Sequence, residues 1–202
     1  MRHLFRSLSA LAAVLAIALF GAGSLALAGD GHGHRDRSSS GDWHSHGHGH
    51  KSCHGRWLSG LDERWLKVHI ETNLFEIAGG QAALDKATTP DVRELAAHLV
   101  ADHTVALAQA TELARKLGVE VPDAPSPLQQ WAMRAVNQFS GRDFDRWFTD
   151  LQVEGHKQAI TEATTEVERG CNRKLRALAE ASLPVLQAHL EHAQAVLGDL
   201  GG

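Results

Sequence analysis

"TPDVRELAAHLVADHTVALAQATELARKLG", from Thr89 to Gly118, has the complete pattern of one long amphipathic helix. Thr89 suits the N-cap, and Pro90 suits the first helical position because an N–H there would have no helical partner. Arg115 and Lys116 place cations in the last turn, and Gly118 follows them as a terminator. Between these ends, side chains suited to a buried face recur at spacings of three and four residues: Leu95, Leu99, His103, Ala106, Ala110, Leu113 and Leu117.

Three further long helices are predicted on the same grounds. They run from about Asp62, a plausible cap, to Lys86, from Asp143 to Arg169, and from Asn172 to Leu197 with a kink at Pro184. The first of these has an apolar stripe of Leu66, Ile70, Leu74, Ile77 and Leu84. A shorter helix over 127–139 follows a proline-rich connection. The pattern predicts an all-α fold, an antiparallel four-helix bundle with an extra short helix between the second and third long helices.

The first 28 residues have the pattern of a secretory signal peptide. Arg2 and Arg6 precede an apolar run, and Ala26-Leu27-Ala28 has the small-x-small pattern of a cleavage site. An uncleaved membrane anchor is the alternative, but the apolar run is short and glycines interrupt it. We therefore expect cleavage after Ala28, an exported protein that is periplasmic or secreted, and no stable membrane span afterwards.

Residues 29–56 form a segment rich in His and Gly that has almost no apolar content. Such a segment cannot bury enough surface to offset its ordering entropy, so disorder is predicted there, with the helical domain over 57–202. Imidazoles bind Zn, Cu and Ni well, so the segment is a candidate metal collector; the alternative is a solvating linker. Its histidines are His32, His34, His44, His46, His48, His50 and His54.

Charge and cysteine content narrow the function classes. Residues 57–202 carry 14 Lys and Arg against 21 Asp and Glu, a net charge of −7, so nucleic-acid binding is not expected. The two cysteines, Cys53 and Cys171, are 118 positions apart. An exported compartment permits a bridge between them, but free thiols or intermolecular pairing are the favoured interpretation, because a bridge would tie a flexible segment to a loop.

Four ionisable residues, one on each long helix, lie on faces that should be buried. His103, His156 and His189 occupy positions in apolar seams, and Glu76 lies beside the stripe of the first helix. Burial of such groups is costly unless they are hydrogen-bonded, paired or bound to metal. The four residues are therefore candidate ligands of a transition metal (Zn, Cu, Ni or Fe), and a closed hydrogen-bonded network is the alternative.

Neighbouring polar residues are interpreted differently. Asp102 is predicted to face away from the seam, where a solvated acid is favoured over a residue that orients a neighbour near His98, and His192 is predicted to lie off the seam that contains His189. No Glu-x-x-His pair is present, which disfavours an oxygen-activating di-iron centre. The sequence also lacks a nucleophile elbow and a phosphate-binding glycine loop, so it predicts no catalytic residue and no organic-cofactor site. An enzyme, a metal-dependent oxidase, is the least favoured of three function classes, after a metal-binding protein and a structural or interaction protein.

Three segments resemble an exported bacterial ferritin-like family, domain of unknown function 4142. They are "NLFEIAGGQAALDKATTPDVRELAAHLVADHTVALAQATELARKLGVEVP" (73–122), "SGRDFDRWFTDLQVEGHKQAI" (140–160) and "LAEASLPVLQAHLEHA" (178–193). The family pattern has a Glu, an Asp-His, a His and a Leu-Pro…His in its four helices. These match Glu76, Asp102-His103, His156 and Leu183-Pro184…His189. One departure is Gly155, where the family often has Asp before the third-helix His.

The resemblance implies a ferritin-like bundle in an exported protein and implies no particular reaction. The sequence thus favours an exported metal-binding bundle with a role in envelope metal or stress homeostasis. Its rival is a structural or interaction protein of the cell envelope, whose interior His and Glu form only a hydrogen-bonded network.

Overall fold

The computed structural model of the protein describes Cys53 and residues 57–201. The proposed signal peptide and the rest of the His-rich segment lie outside these described residues. Within them the chain has five helices and no strand: α1 (Gly60–Lys86), α2 (Pro90–Leu117), α3 (Pro127–Val136), α4 (Gly141–Arg169) and α5 (Arg173–Asp199). The prediction of an all-α protein is confirmed. None of these five helices is long and apolar enough to cross a membrane.

The four long helices each pack against two others. The most extensive contacts are between α1 and α2 and between α4 and α5, and smaller ones join α1 to α4 and α2 to α5. The short helix α3 lies against α1 and α4. Each long helix therefore has one face turned to a shared interior, as the spacing of its apolar residues requires.

The interior has a buried polar layer between two apolar clusters. One cluster contains Phe75, Leu99, Val153 and Ala193, and the other contains Ile70, Ala110, Ala163 and Leu186. On every long helix the sequence between these two sets holds a buried polar residue: Asn73, His103, His156 or His189. The polar residues therefore lie at one level of the interior, and periodicity alone could not establish this.

The beginnings of α1 and α5 are joined through one carboxylate. Ser59, not Asp62, is the N-cap of α1, and Asp62 completes a capping box by accepting a hydrogen bond from the Ser59 N–H. The other oxygen of Asp62 accepts from the N–H groups of Cys171 and Asn172 at 2.8 and 3.0 Å. The prediction of Asp62 as the cap was wrong because this side chain satisfies donors of two helix starts at once.

The beginning of α2 depends on a residue of α4. Thr89 is the N-cap, as predicted, but its hydroxyl makes no capping hydrogen bond. The buried Asp145 carboxylate instead accepts from the N–H groups of Thr88 and Thr89, both at 3.0 Å. A tertiary contact thus replaces the local cap that the sequence indicated.

The apolar stripe of α1 follows the prediction only in part. Leu66 and Ile70 are fully buried, but Leu84 is 39% exposed. The last buried residues of α1 are instead Gly80 and Ala83. An α-helix has 3.6 residues per turn, so over 27 residues the positions that face the interior move away from a stripe drawn at spacings of whole residues.

A disulfide joins Cys53 to Cys171, in the connection between α4 and α5. The interpretation that these thiols stay free or pair between molecules was wrong. Nearby, the Asn172 side chain donates to the Trp57 carbonyl at 2.8 Å. The chain that enters α1 is therefore held against the start of α5 by a covalent bond and a hydrogen bond.

Candidate metal centre

Three histidines from three helices meet in the buried polar layer. His103 (α2), His156 (α4) and His189 (α5) are between 2 and 5% exposed. One ring nitrogen from each lies within 4.8 Å of those of the other two. The ring centroids are 5.2 to 5.8 Å apart. Three of the four predicted ligands therefore come together.

The tautomer of His103 is determined by an amide on α1. The Asn73 amide nitrogen donates to the His69 carbonyl at 2.6 Å, so its oxygen is the atom that lies 2.8 Å from His103 Nδ1. An amide oxygen only accepts, so His103 Nδ1 carries the hydrogen and Nε2 carries a lone pair. Nε2 is buried and has no hydrogen-bond partner among the described residues.

His156 is oriented by the backbone of its own helix. Its Nδ1 lies 2.9 Å from the Gln152 carbonyl oxygen, which only accepts, so Nδ1 is the protonated nitrogen. Its Nε2 therefore also carries a lone pair, and it lies 3.3 Å from His189 Nδ1.

His189 is oriented by Asp102, an exposed residue of α2. The distance from His189 Nε2 to Asp102 Oδ2 is 2.9 Å, so Nε2 donates to the carboxylate. Burial lowers the pKa of His189 more than the Asp102 carboxylate raises it, and so the ring is neutral near pH 7. A neutral ring with its hydrogen on Nε2 directs the lone pair of Nδ1 at the lone pair of His156 Nε2. Two lone pairs at 3.3 Å repel each other, and a cation beside them removes that repulsion.

All three imidazoles are in the protonation state that binds metal. Burial, with the neighbouring rings of His156 and His189, lowers the pKa of His103 well below its usual value. Burial likewise lowers the pKa of His156 to about 4. No proton therefore has to leave a ligand nitrogen of these two rings when an ion binds near pH 7.

Glu76 is buried on α1 just beyond the polar layer and does not belong to the group of three. It is 2% exposed, one turn beyond Asn73 on α1. Burial raises its pKa to about 8, against the opposing effect of a hydrogen bond with Gln152. Its Oε2 is buried without a hydrogen-bond partner among the residues described. The protonated form of Glu76 is thus favoured near neutral pH, one helical turn from the Asn73 that contacts His103.

The other polar residues near the centre divide into two groups. The rings of His98 and His192 lie 5.4 Å apart and do not belong to the group of three. Asp102, in contrast, is exposed as favoured but also contacts His189, so it has the orienting role that was the less favoured alternative. It lies about 100° around α2 from His103, which turns it toward α5 and not directly outward.

The roles of two residues that orient the histidine rings were not predicted from the sequence. Asn73 shares the inward face of α1 with Glu76, and Gln152 lies one turn before His156, so the spacing of both was visible in the sequence. What could not be read was which atom each would present to a ring. The tail histidines predicted as ligands, His44, His46, His48, His50 and His54, lie outside the described residues.

Comparisons with known proteins give a family and a fold. The model of a family described as "Domain of unknown function (DUF4142)" matches residues 52–196, which include the three histidines and Glu76. Among solved structures, the chain is similar to the "Crystal structure of DUF305 fragment from Deinococcus radiodurans". The TM-score is 0.63 at 13% identity, over 70% of this chain and 98% of that one, a likeness that concerns the fold alone. No curated protein matches the sequence.

Proposed function

Because the chain belongs to the DUF4142 family, whose description states no activity, we propose a function from the site itself. The protein is an exported, ferritin-like, antiparallel four-helix bundle that binds one transition-metal ion in its interior. His103, His156 and His189 are the ligands, Glu76 completes the set, and the protein serves metal or stress homeostasis in the cell envelope.

The orientation of the three rings carries this proposal. In each ring, one nitrogen is bonded to an oxygen: that of the Asn73 amide, the Gln152 carbonyl or the Asp102 carboxylate. The other nitrogen is turned toward the two neighbouring rings. Metal-binding histidines are held in this way, since the second hydrogen bond fixes both the tautomer and the ring plane.

One nitrogen–nitrogen distance already suits an ion of the first transition series, and the three candidate ligand nitrogens all lie within 4.8 Å of one another. Nitrogens about 2.0–2.1 Å from a tetrahedral ion are roughly 3.4 Å apart, and His156 Nε2 and His189 Nδ1 are separated by 3.3 Å. Imidazole ligands suit Zn, Cu, Ni and Fe, and intrinsic affinity for such a site is greatest for Cu²⁺. Glu76 releases its proton when it joins the ligand set, so its contribution to binding strengthens as the pH approaches 8.

The segment before the bundle serves as an accessory metal collector in this proposal. Its histidines bind exchangeable ions, and His50 and His54 are three residues and one residue away in the sequence from Cys53, which is bridged to the bundle. The bridge also supports export, because disulfides persist in oxidising compartments.

A hydrogen-bonded network is the second candidate, and it is favoured by one observation. Asp102, His189 and His156 form a continuous chain of contacts of 2.9 and 3.3 Å. If His189 carried a proton on both nitrogens, this chain would be satisfied without an ion. The bundle would then be a structural or interaction protein of the envelope.

Metal content of the untagged mature chain, residues 29–202, distinguishes the two candidates. To remove the contribution of the tail, seven substitutions to Ala are made at His32, His34, His44, His46, His48, His50 and His54. We expect this variant to retain about one ion per chain by mass spectrometry after dialysis, and His103→Ala or His156→Ala to lose it. His98→Ala is the matched control, because His98 lies outside the group of three. A folded tail variant that binds no ion would support the network instead.

A further inference from the structure

A second pair of histidines meets at the contact between α2 and α5, outside the buried group of three. The rings of His98 and His192, the outer pair, have centroids 5.4 Å apart and planes tilted by 54°, so they are neighbours but are not stacked face to face. His98 is exposed and His192 is partly buried. Two packed helices thus hold two imidazoles side by side at the surface.

The position of the outer pair follows from helical spacing. His98 precedes Asp102 by four residues on α2, and His192 follows His189 by three residues on α5. Residues at these spacings lie one above the other on a helix. Because Asp102 and His189 contact each other, the outer pair meets one turn away from that contact on both helices.

The ring nitrogens of the outer pair are free to bind a ligand. Neither ring forms a hydrogen bond or an ion pair with another residue that the structure describes. Since neither ring is fully buried, each can turn about χ2 and direct a nitrogen at the space between the two rings. A neutral imidazole presents one nitrogen lone pair, which is a metal ligand.

The separation of the two rings suits a metal ion between them. Two imidazole nitrogens about 2.0–2.1 Å from a tetrahedral ion hold the ring centroids roughly 5.2 Å apart, close to the 5.4 Å of the outer pair. Zn, Cu and Ni are the divalent ions that imidazole nitrogens bind well.

The charge around the outer pair favours a cation. Glu94 and Asp102 lie one turn on either side of His98. No Lys or Arg occurs between positions 94 and 114 of α2 or between positions 177 and 199 of α5. A surface with charges of one sign raises the local concentration of the opposite ion. These two helices therefore attract a metal ion and offer an anion no basic side chain over these stretches.

We propose that the outer pair is a second metal site, at which His98 and His192 bind one divalent ion of the first transition series. Among the described residues no third His, Cys, Asp or Glu forms a ligand group with the pair, so water completes the coordination. A site with two protein ligands exchanges its ion more readily than one with three or four, and dialysis removes this ion. The inference goes beyond the proposed function and does not depend on an ion at the three buried histidines.

The test follows the histidine ring signals by NMR while Zn²⁺ is titrated near pH 7. It uses the untagged mature chain with the seven tail substitutions, which leaves six histidines, and each signal is assigned by its absence from the corresponding Ala variant: His69, His98, His103, His156, His189 and His192. We expect the two signals of the outer pair to shift together, with one dissociation constant.

Two substitutions test whether the rings share one ion. Loss of even an outer-shell partner typically costs about 10–100-fold in metal affinity, so loss of one of two ligands should cost at least as much. His98→Ala should therefore raise the dissociation constant measured at His192 by at least this factor, and His192→Ala should do the same at His98. Gln194→Ala, at an exposed and neutral position of α5, is the matched control and should change neither value.

The outcomes separate the outer pair from the interior centre. If neither signal of the outer pair shifts, or only one does, the inference is overturned. It is also overturned if the His192 signal shifts with an unchanged dissociation constant in His98→Ala, because the effect then comes from an ion bound elsewhere. Changes confined to His103, His156 and His189 would remove this inference and support the proposed function, and changes confined to the outer pair would do the reverse.

Discussion

Asp102 Oδ2 lies 2.9 Å from His189 Nε2, so a carboxylate at the surface of α2 fixes the ring of a buried histidine on α5. Asp102 is followed in the sequence by His103, whose own ring faces the interior. Two adjacent residues of α2 thus contact the same cluster, since His103 is one of its three rings and Asp102 orients a second ring, that of His189.

Removal of the Asp102 carboxylate should weaken metal binding without changing its stoichiometry. Loss of an outer-shell partner typically costs about 10–100-fold in metal affinity, so Asp102→Ala should raise the dissociation constant by that factor. Asp102→Asn should have a smaller effect, because an amide oxygen still accepts from His189 Nε2. Competition titration against a chromogenic chelator measures the affinity. Glu94→Ala, an exposed carboxylate on the same helix, is the control, and equal affinities for Asp102→Ala and the unmodified chain would contradict the role of Asp102.

A second prediction concerns Glu166 at the junction of α1, α4 and α5. Burial and the neighbouring Asp62 carboxylate together raise the pKa of Glu166 to about 8, against an opposing effect of Arg176. Burial also acts to raise the pKa of Asp62, but hydrogen bonds from Asn172 and Ser59 outweigh it, and the net shift is downward. The pair therefore holds one proton on Glu166 and one charge on Asp62.

The sign of the pH dependence follows from these shifts. The folded chain retains a proton on Glu166 that the unfolded chain releases above about pH 4.5, so the contribution of Glu166 to the free energy of unfolding falls as the pH rises from there to about 8. Glu166→Gln cannot lose a proton and should lack this contribution to the pH dependence. Urea unfolding at several pH values between 5 and 8 measures both. Parallel profiles for the two proteins would contradict a protonated Glu166.

The sequence predicted the burial of the three histidines better than it predicted their hydrogen-bond partners. His103, His156 and His189 were identifiable because each interrupts an apolar seam, and a seam position is determined by helical periodicity alone. Their common level and the contact of Asp102 with His189 depend on how each helix is rotated and shifted along its axis. Those quantities come from packing between helices, which one sequence does not encode in any local pattern.

The helix ends also differ in whether they could be predicted from the local sequence. Gly118, with φ of 70°, ends α2 as predicted, because a left-handed residue is a local requirement. Asp62 and Asp145 instead bond to backbone N–H groups far away in the sequence, and neither role could be read from neighbouring residues. The bridge between Cys53 and Cys171 was undervalued for the same reason, since it depends on where the chain before α1 lies.

The disulfide should contribute substantially to stability. It closes a loop of 118 residues, and loss of a native bridge typically costs about 2–5 kcal/mol, chiefly because the unfolded chain gains freedom. Cys53→Ser and Cys171→Ser should therefore lower the denaturation midpoint by similar amounts in chelator-containing buffer. Dithiothreitol should reproduce the effect in the unmodified chain and have none in either variant. Unchanged midpoints in both variants would contradict a bridge that constrains the domain.

Two adjacent glycines of α1 should respond in opposite directions to the same substitution. A Cβ on Gly80 would lie 2.7 Å from Val100 Cγ2 and 3.1 Å from the Ala96 carbonyl oxygen, so Gly80 allows the close approach of α1 to α2. A Cβ on Gly79 would meet only the Phe148 ring, at 3.9 Å. Gly79→Ala should stabilise the protein by about 0.5–1 kcal/mol through helix propensity, and Gly80→Ala should destabilise it by about 1–3 kcal/mol through overpacking. Urea midpoints of the two variants measure the difference, and a stabilised Gly80→Ala would show that α1 and α2 have room to separate.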